Sequence, residues 1–520
     1  MAPVDLSRVL WTNDAPTLAE ETSLKKAVSK LERKLMIIQR NLDQHRGALS
    51  VIRRFPYEVL GRIFCFALDT PSPLDRYHRS VLLKLGRVCR GWREASLLEH
   101  RLWSRLELGS EGTYDQVTTW LSRSGNVAKS LRTTMWKKED DDIFANSTIV
   151  RLLTDGPPFD HLCLSCGHVG ALAQFIYHFG LARVGAPLRP WDGLRSLVID
   201  ICYEPSSASA FDGATPPSTI YSLLPPVKSL VICLPSQEFT FGARIPHDVP
   251  IGVTPTLLAG LTSLAFSCDW KSDHILSMLQ ECTNLEHLIV EFNNLVVLDP
   301  NQLGRTYPLD GIHLTKLRSL ELRWLRRPTQ QLRILRHIIT PYLTSLTIFA
   351  EMDENATLSQ GGTRAIKRFI KRSRCQDTLC SLQLQRIDPE DPEDFASIFT
   401  SMPGLTRLSL RQVTVDEDFW RSLRKGKCLP DLEELEVLEV TDVEDSWGFI
   451  RELLRFLEAQ GKRDKKREVL VSFPKPRSFT TSDAEYIWAS RKRGSLKDFA
   501  IEFGMIRKAI EYDMSDPWNF

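Results

Sequence analysis

The chain has 520 residues, a length that allows about three domains of ordinary size unless the sequence repeats. Hydrophobic residues make up 42% and charged residues 25%, with 67 Lys and Arg against 65 Asp and Glu. These values exclude a wholly disordered chain and a nucleic-acid binder that relies on bulk positive charge. Residues 1–108 hold 19 basic against 12 acidic groups and the remainder 48 against 53, so local surfaces must select partners. Met1 is followed by Ala-Pro-Val-Asp and mixed charges, so no signal peptide is expected, and cytoplasm and/or nucleus is the expected location. The eleven scattered cysteines are expected to be reduced. Leu162 to Ala182 lacks Asp, Glu, Lys and Arg but carries His168, Gln174, His178 and three glycines, so no membrane span is expected.

Residues 1–23 are expected to be disordered. From Leu24 the apolar positions run Leu24, Val28, Leu31, Leu35, Ile38, Leu42, then His45, then Leu49, in alternating steps of four and three. That spacing keeps one stripe on a helix of 3.5 residues per turn, with Lys25, Lys26, Lys30, Glu32, Arg33, Lys34 and Arg40 elsewhere. Residues 24–50 read as a heptad helix: either a coiled-coil arm, with a possible dimer, or one amphipathic helix packed on its own domain.

Residues 51–108 read as a helical module. Pro56 sits where a helix begins and Glu58 suits its positive end; Val59, Leu60, Ile63, Phe64 and Ala67 follow at helical spacing. A loop, Asp69 to Ser80, precedes a second helical segment, Val81 to Glu99, with Leu82, Leu83, Leu85, Val88, Cys89 and Trp92. Such a small unit carries more large apolar groups than it can bury, which points to a partner.

The order Phe55-Pro56-x-Glu58-Val59-Leu60-x-x-Ile63-Phe64, then Val88-Cys89-Arg90-x-Trp92-Arg93, then Leu102-Trp103 resembles an F-box, the module by which substrate receptors dock on the Skp adaptor of a cullin-based ubiquitin ligase. Phe55 stands where that family most often has Leu, and the 69–80 loop is longer than in the compact form of the module. With the preceding heptad, the arrangement is similar to the expanded F-box families of mushroom-forming fungi. The resemblance implies an adaptor-facing surface of Phe55, Pro56, Val59, Leu60, Ile63 and Phe64. It also implies that Val88, Cys89 and Trp92 hold the helices together and add to the edge of that surface.

From residue 159 a phrase of the type L-x-x-L-x-L recurs ten times. It starts at Phe159, Leu194, Val227, Leu261, Leu285, Leu317, Leu343, Leu379, Leu405 and Leu432. Its last two apolar residues lie two apart, on one face of a strand. Helical patterns fall between, at Asp273 to Glu281, Gln330 to Ile339, Thr363 to Arg372, Pro392 to Thr400 and Trp447 to Ala459. A strand, turn, helix and return every 24 to 36 residues describes a leucine-rich-repeat solenoid over 159–475, with a parallel sheet on the concave side and helices on the convex side. The fold class is α/β, a helical arm and F-box-like module followed by that solenoid. Residues 109–158 are expected to hold a linker and a degenerate first repeat at Tyr114 to Trp136, and 476–520 the C-terminal cap; the tail, Arg467 to Phe473 and then Trp488 to Phe520, is expected to supply a closing strand and helical cap.

Phosphate-binding glycine loops, a G-x-S-x-G elbow, H-E-x-x-H and a calcium loop are absent from the sequence, and no enzyme activity, cofactor or metal is expected. Cys163, Cys166 and His168 are half of a zinc set at most, and Glu139 to Asp142 reads as a solvated acidic loop. Lys462 to Arg467 reads as a solvated basic loop with a nuclear-import alternative. Trp191, Trp270, Trp324 and Trp420 lie near strand ends, as core fillers or binding residues. The expected function is a substrate-recognition subunit of a Skp-cullin-F-box ubiquitin ligase. It would join the Skp adaptor, and through it cullin, to an unknown target protein, without membrane or nucleic-acid partners. The alternative is a repeat scaffold that binds a protein without ubiquitylation.

Overall fold

The structure is a computed structural model. It describes residues 6–12, 14–68, 73–109, 112–135, 147–166, 175, 179, 190–201, 224–233, 253–267, 272–292, 311–325, 331–350, 362–387, 392–426, 428–439, 446–459, 467–473 and 496–503. The chain divides into two compact units, residues 1–70 with 76–102, and residues 71–75 with 103–520.

The first unit is helical. Helices α1 (Ser7–Trp11) and α2 (Leu18–Ala48) are followed by a short 3-10 turn at Val51–Arg54 and then by α3 (Tyr57–Ala67), α4 (Arg76–Val88) and α5 (Arg90–Leu98). Thr17 starts α2 with a capping box. Its hydroxyl accepts from the Glu20 amide at 3.4 Å and the Glu20 carboxylate accepts from the Thr17 amide at 2.8 Å. Pro56 caps α3, with Glu58 in its first turn.

The second unit is the α/β solenoid. Among the described residues its main sheet has fourteen strands, in the order β1 (Arg105–Leu108), β2 (Ser130–Met135), β3 (His161–Cys166), β4 (Ser196–Ile201), β5 (Ser229–Cys233), β6 (Ser263–Ser267), β7 (His287–Glu291), then onward, all paired in parallel. A two-stranded side ladder joins β8 (Ile312–His313) to β10 (Ile338–Ile339). The main sheet continues through β9 (Ser319–Leu325), β11 (Ser345–Ala350), β12 (Ser381–Gln385), β13 (Arg407–Arg411), β14 (Glu434–Leu438), β15 (Arg467–Phe473) and β16 (Leu496–Phe503).

The repeated phrase sets this register. Its two apolar strand residues, such as Leu346 and Ile348 or Leu382 and Leu384, are buried in one continuous core with the helices, while Thr347 and Gln383 point the other way. On that second face Cys163, Val198, Val231, Ala265 and Ile289 form an apolar row. In register with them, the row changes to Glu321, Thr347, Gln383, Ser409 and Glu436. Trp191 and Trp420 are core residues, and Phe395, Phe399, Phe419, Trp420, Phe449 and Phe456 make a chain of ring contacts 4.9 to 5.8 Å apart among the C-terminal helices.

Several expectations are revised. Ser7–Trp11 is helical where disorder was expected, and α2 starts at Leu18 rather than Leu24, because the Thr17–Glu20 box nucleates it. The loop after α3 ends at Asp75, since α4 begins at Arg76. The expected single helix Val81 to Glu99 is broken at Cys89, which is fully extended (φ −161°, ψ 172°) and caps α5. The sheet begins at β1, inside the stretch assigned to the helical module: Leu106 and Leu108 face the solenoid core. Leu74 also pairs with this strand, its carbonyl accepting from the Glu107 amide at 3.0 Å.

The expected helix Gln330 to Ile339 is instead a 3-10 turn, Leu332–Arg336, followed by β10. The Arg372 guanidinium donates to the carbonyls of Leu335, Arg336 and Ile338 and so satisfies that non-helical backbone. Leu496–Phe503 is a strand, not part of a helical cap, and pairs in parallel with β15. The other residues of the expected cap, with Glu139 to Asp142, Trp270 and Lys462 to Lys466, lie outside the described residues, and Arg467 begins β15.

Candidate functional site

Helix α3 is apolar on two sides. Leu60 and Phe64, one turn apart, are 3% and 2% exposed, and Cys65 and Leu68 continue that inward stripe. Val59, Ile63 and Phe66, at spacings of four and three, are 44%, 38% and 87% exposed. A helix with apolar residues around most of its girth is stable in water only if its outer stripe also finds cover. Phe55, Tyr57, Leu83, Val88, Leu97 and Leu98 are exposed on the same small unit.

The inner stripe is fixed by close approach. A Cβ on Gly61 would stand 2.9 Å from Glu99 Cβ and 3.3 Å from the Ala95 carbonyl oxygen, so α3 and α5 pack at a distance that only glycine permits there. Phe64 packs on Trp92 with ring centroids 5.1 Å apart at 56°. Glu99 accepts two bonds from Arg101, at 2.7 and 2.8 Å, and this guanidinium holds its carboxyl below the ordinary range. Glu94 accepts from Arg90 at 2.8 Å and from the Tyr57 hydroxyl, which lower its carboxyl in that order.

The sequence-derived set therefore separates. Phe55, Pro56, Val59 and Ile63 lie at the surface, with Val88 and Cys89. Leu60 and Phe64 lie inside, which corrects their assignment to the outward surface. Trp92 is half-buried and its ring packs on Phe64, linking α5 to α3, whereas Val88 and Cys89 are exposed where α4 ends. Tyr57, Phe66, Leu83, Leu97 and Leu98 were missed; at Phe66 the signal was present, one turn beyond Ile63 on a face already carrying Val59.

The solenoid offers a second surface, the open face and exit edge of its sheet. Arg323 is buried and bridges Glu291 at 3.1 Å and Glu321 at 2.6 Å. Desolvation raises the Glu291 carboxyl against the opposing pull of Arg323 and Ser267, and both acids hold Arg323 firmly charged. Two strands on in the main sheet, Arg386, Gln412 and Glu439 all take positive φ, 55°, 50° and 54°, as the chain leaves β12, β13 and β14. Their side chains bond in series, Arg386 to Gln412 to Glu439, and Arg411 closes on Glu439 at 2.9 Å. Trp324 stands edge-on to Phe349 at 4.8 Å.

Cys163 and Cys166 cannot share a metal, because an odd separation on a strand sends Cys163 to the open face and Cys166 to the core. Burial pushes the Cys163 thiol up, away from ligand chemistry. Among the described residues no group of three His, Cys, Asp or Glu is placed to hold a metal ion, and no helix is long and apolar enough to cross a membrane.

Residues 52–108 match the family model described as F-box-like, so this chain carries an F-box-like domain over those residues. No curated protein matches the chain. Among solved structures, the chain is similar to one described as the crystal structure of a TLR13–ssRNA13 complex, at 16% identity and a TM-score of 0.35. The match covers 73% of this chain and 44% of that one, so this chain spans less than half of its length.

Proposed function

We propose that the protein is a substrate-recognition subunit of a Skp-cullin-F-box ubiquitin ligase. The F-box-like domain docks the Skp adaptor and through it cullin, and the leucine-rich-repeat solenoid binds a target protein. The observation that carries this reading is the outer stripe of α3, Val59, Ile63 and Phe66, left in water on a helix whose inner stripe already fills its own core. An adaptor that covers this stripe removes apolar area worth roughly 25 cal/mol per Å2. Phe55 and Pro56 before the helix, and Val88 and Cys89 where α4 ends, extend the surface. The protein's part in ubiquitin transfer is then proximity: it holds a target lysine near a charged enzyme and supplies no reacting group.

Co-purification of the full chain with a Skp adaptor, with stoichiometry read by light scattering, tests this. One adaptor per chain is expected, and Val59→Asp with Ile63→Asp should abolish capture while the chain stays folded. Absence of a complex with the wild-type chain would leave a repeat protein whose F-box-like domain lacks that partner.

A further inference from the structure

We propose that α2 is one half of a parallel, in-register, two-stranded coiled coil made by two copies of this chain. The helix runs 31 residues, about 46 Å, and no side chain on it is buried. Its seam residues Val28, Leu31, Leu35, Ile38 and Leu42 are 42% to 65% exposed. Helices of this kind draw most of their stability from covering an apolar face, and this face is uncovered.

The chain that follows α2 does not cover it. Arg53, beyond the helix, comes back beside Gly47, where its Nη2 lies 3.9 Å from a Cβ built on that residue, and shares a groove with Leu35, Met36, Gln39 and Asp43. With Val28 at position a and Leu31 at d, Gly47 falls at f and Asp43 and Met36 at b, on the side away from the seam, while Gln39 at e and Leu35 at a border it, Leu35 staying 65% exposed. The seam is thus left open along the heptads that the sequence keeps in phase.

Charge decides the occupant and its direction. In a parallel pair the flanking contacts run from each g to the following e of the other copy: Glu20 to Lys25, Ala27 to Glu32, Lys34 to Gln39 and Asn41 to Arg46. Glu20 to Lys25 is attractive, with Lys25 also 2.6 Å from Glu21 of its own helix, and none of these four flanking contacts sets like charges together; Glu21, at a, faces its own counterpart before the apolar run begins. An antiparallel pair that layers Leu35 on Ile38 brings Lys25 against Arg46 at both ends, with no compensating attraction. Val28 at a with Leu31 at d favours two strands, Leu35 at a with Ile38 at d favours more, and the polar His45 at d ends the apolar run, so the copy number is what light scattering has to read.

Light scattering of the full chain tests the assignment. Two copies per particle are expected, falling to one for Leu31→Gln with Leu35→Gln and Ile38→Gln, substitutions that keep helix propensity. Arg33→Gln, on the outer face, should leave two copies. Leu31→Cys should form a disulfide between the two introduced thiols under mild oxidation, mapped by peptide digestion against the wild-type chain. A wild-type monomer, a triple variant that still pairs, an assembly of more than two copies, or no such disulfide would overturn the proposal. Adaptor capture by the triple variant is expected to persist, so this test and that of the adaptor-docking reading fail separately.

Discussion

Gly61 on α3 and Glu99 beyond α5 approach so closely that a Cβ added to the glycine would stand 2.9 Å from the Cβ of the glutamate. The same Cβ would press on the Ala95 carbonyl oxygen, a backbone atom that cannot rotate away. The contact sets the spacing of the two helices and brings Trp92 onto Phe64.

Gly61→Val is therefore expected to destabilise the F-box-like domain by about 1–3 kcal/mol, the usual cost of overpacking. Urea unfolding followed by Trp fluorescence would measure it. Loss of adaptor capture should follow from lost packing, although Gly61 itself is buried and offers no contact surface.

Leu60→Ala and Val59→Asp should act by different routes although the residues are adjacent. The first empties a core position and is expected to cost about 2–5 kcal/mol. The second changes an exposed side chain and should remove adaptor binding with the unfolding midpoint nearly unchanged. Equal stability losses for both would contradict the two-stripe reading of α3.

Cysteine alkylation provides a footprint. Among the described cysteines Cys89 is the one classed as exposed, while burial pushes the Cys282 thiol up to about 12 and Cys375 to about 11. At pH 8, iodoacetamide is expected to label Cys89 well before Cys282 and Cys375, by peptide mass spectrometry. Bound adaptor should slow that labelling; an unchanged rate would place the docking surface elsewhere.

The Arg323–Glu291 pair should show its burial on mutation. Arg323→Ala leaves a buried carboxylate without its cation and is expected to cost about 3–5 kcal/mol at neutral pH. Because burial raises the Glu291 carboxyl, the folded state holds its proton more tightly than the unfolded state does. This group's contribution is then most favourable below the ordinary carboxylate range and declines as pH rises through the elevated value. Glu291→Gln should remove that part of the slope in thermal unfolding measured between pH 4 and about pH 7.

Adjacent residues of one repeat should differ by strand face. Leu384→Ala is expected to cost about 2–5 kcal/mol, since Leu384 is buried between strand and helix layers. Gln383→Ala, on the open face, should stay within about 0.5 kcal/mol. Differential scanning calorimetry of the two variants would separate them.

The solenoid was legible because its phrase repeats: a Leu every second strand position, returning after 24 to 36 residues, has few solutions other than stacked parallel strands with helices behind them. The F-box-like domain was legible in its ordered motif, which the match over 52–108 bears out. The sequence by itself thus determined the element types over most of the chain, the register of the repeats and the existence of an apolar excess in the helical domain.

Tertiary structure alone decided which apolar residues face inward. Val59 and Leu60 are chemically alike, and only the glycine-sized gap between α3 and α5 turns Leu60 in and leaves Val59 out. The break at Cys89 carries no proline or glycine at that position; the extended backbone there lets α5 fold back to pack on both α3 and α4. The 3-10 turn at Leu332–Arg336 depends on a guanidinium that arrives from Arg372, a full repeat later. In each case the deciding partner lies outside the local window, where periodicity and propensity carry no information.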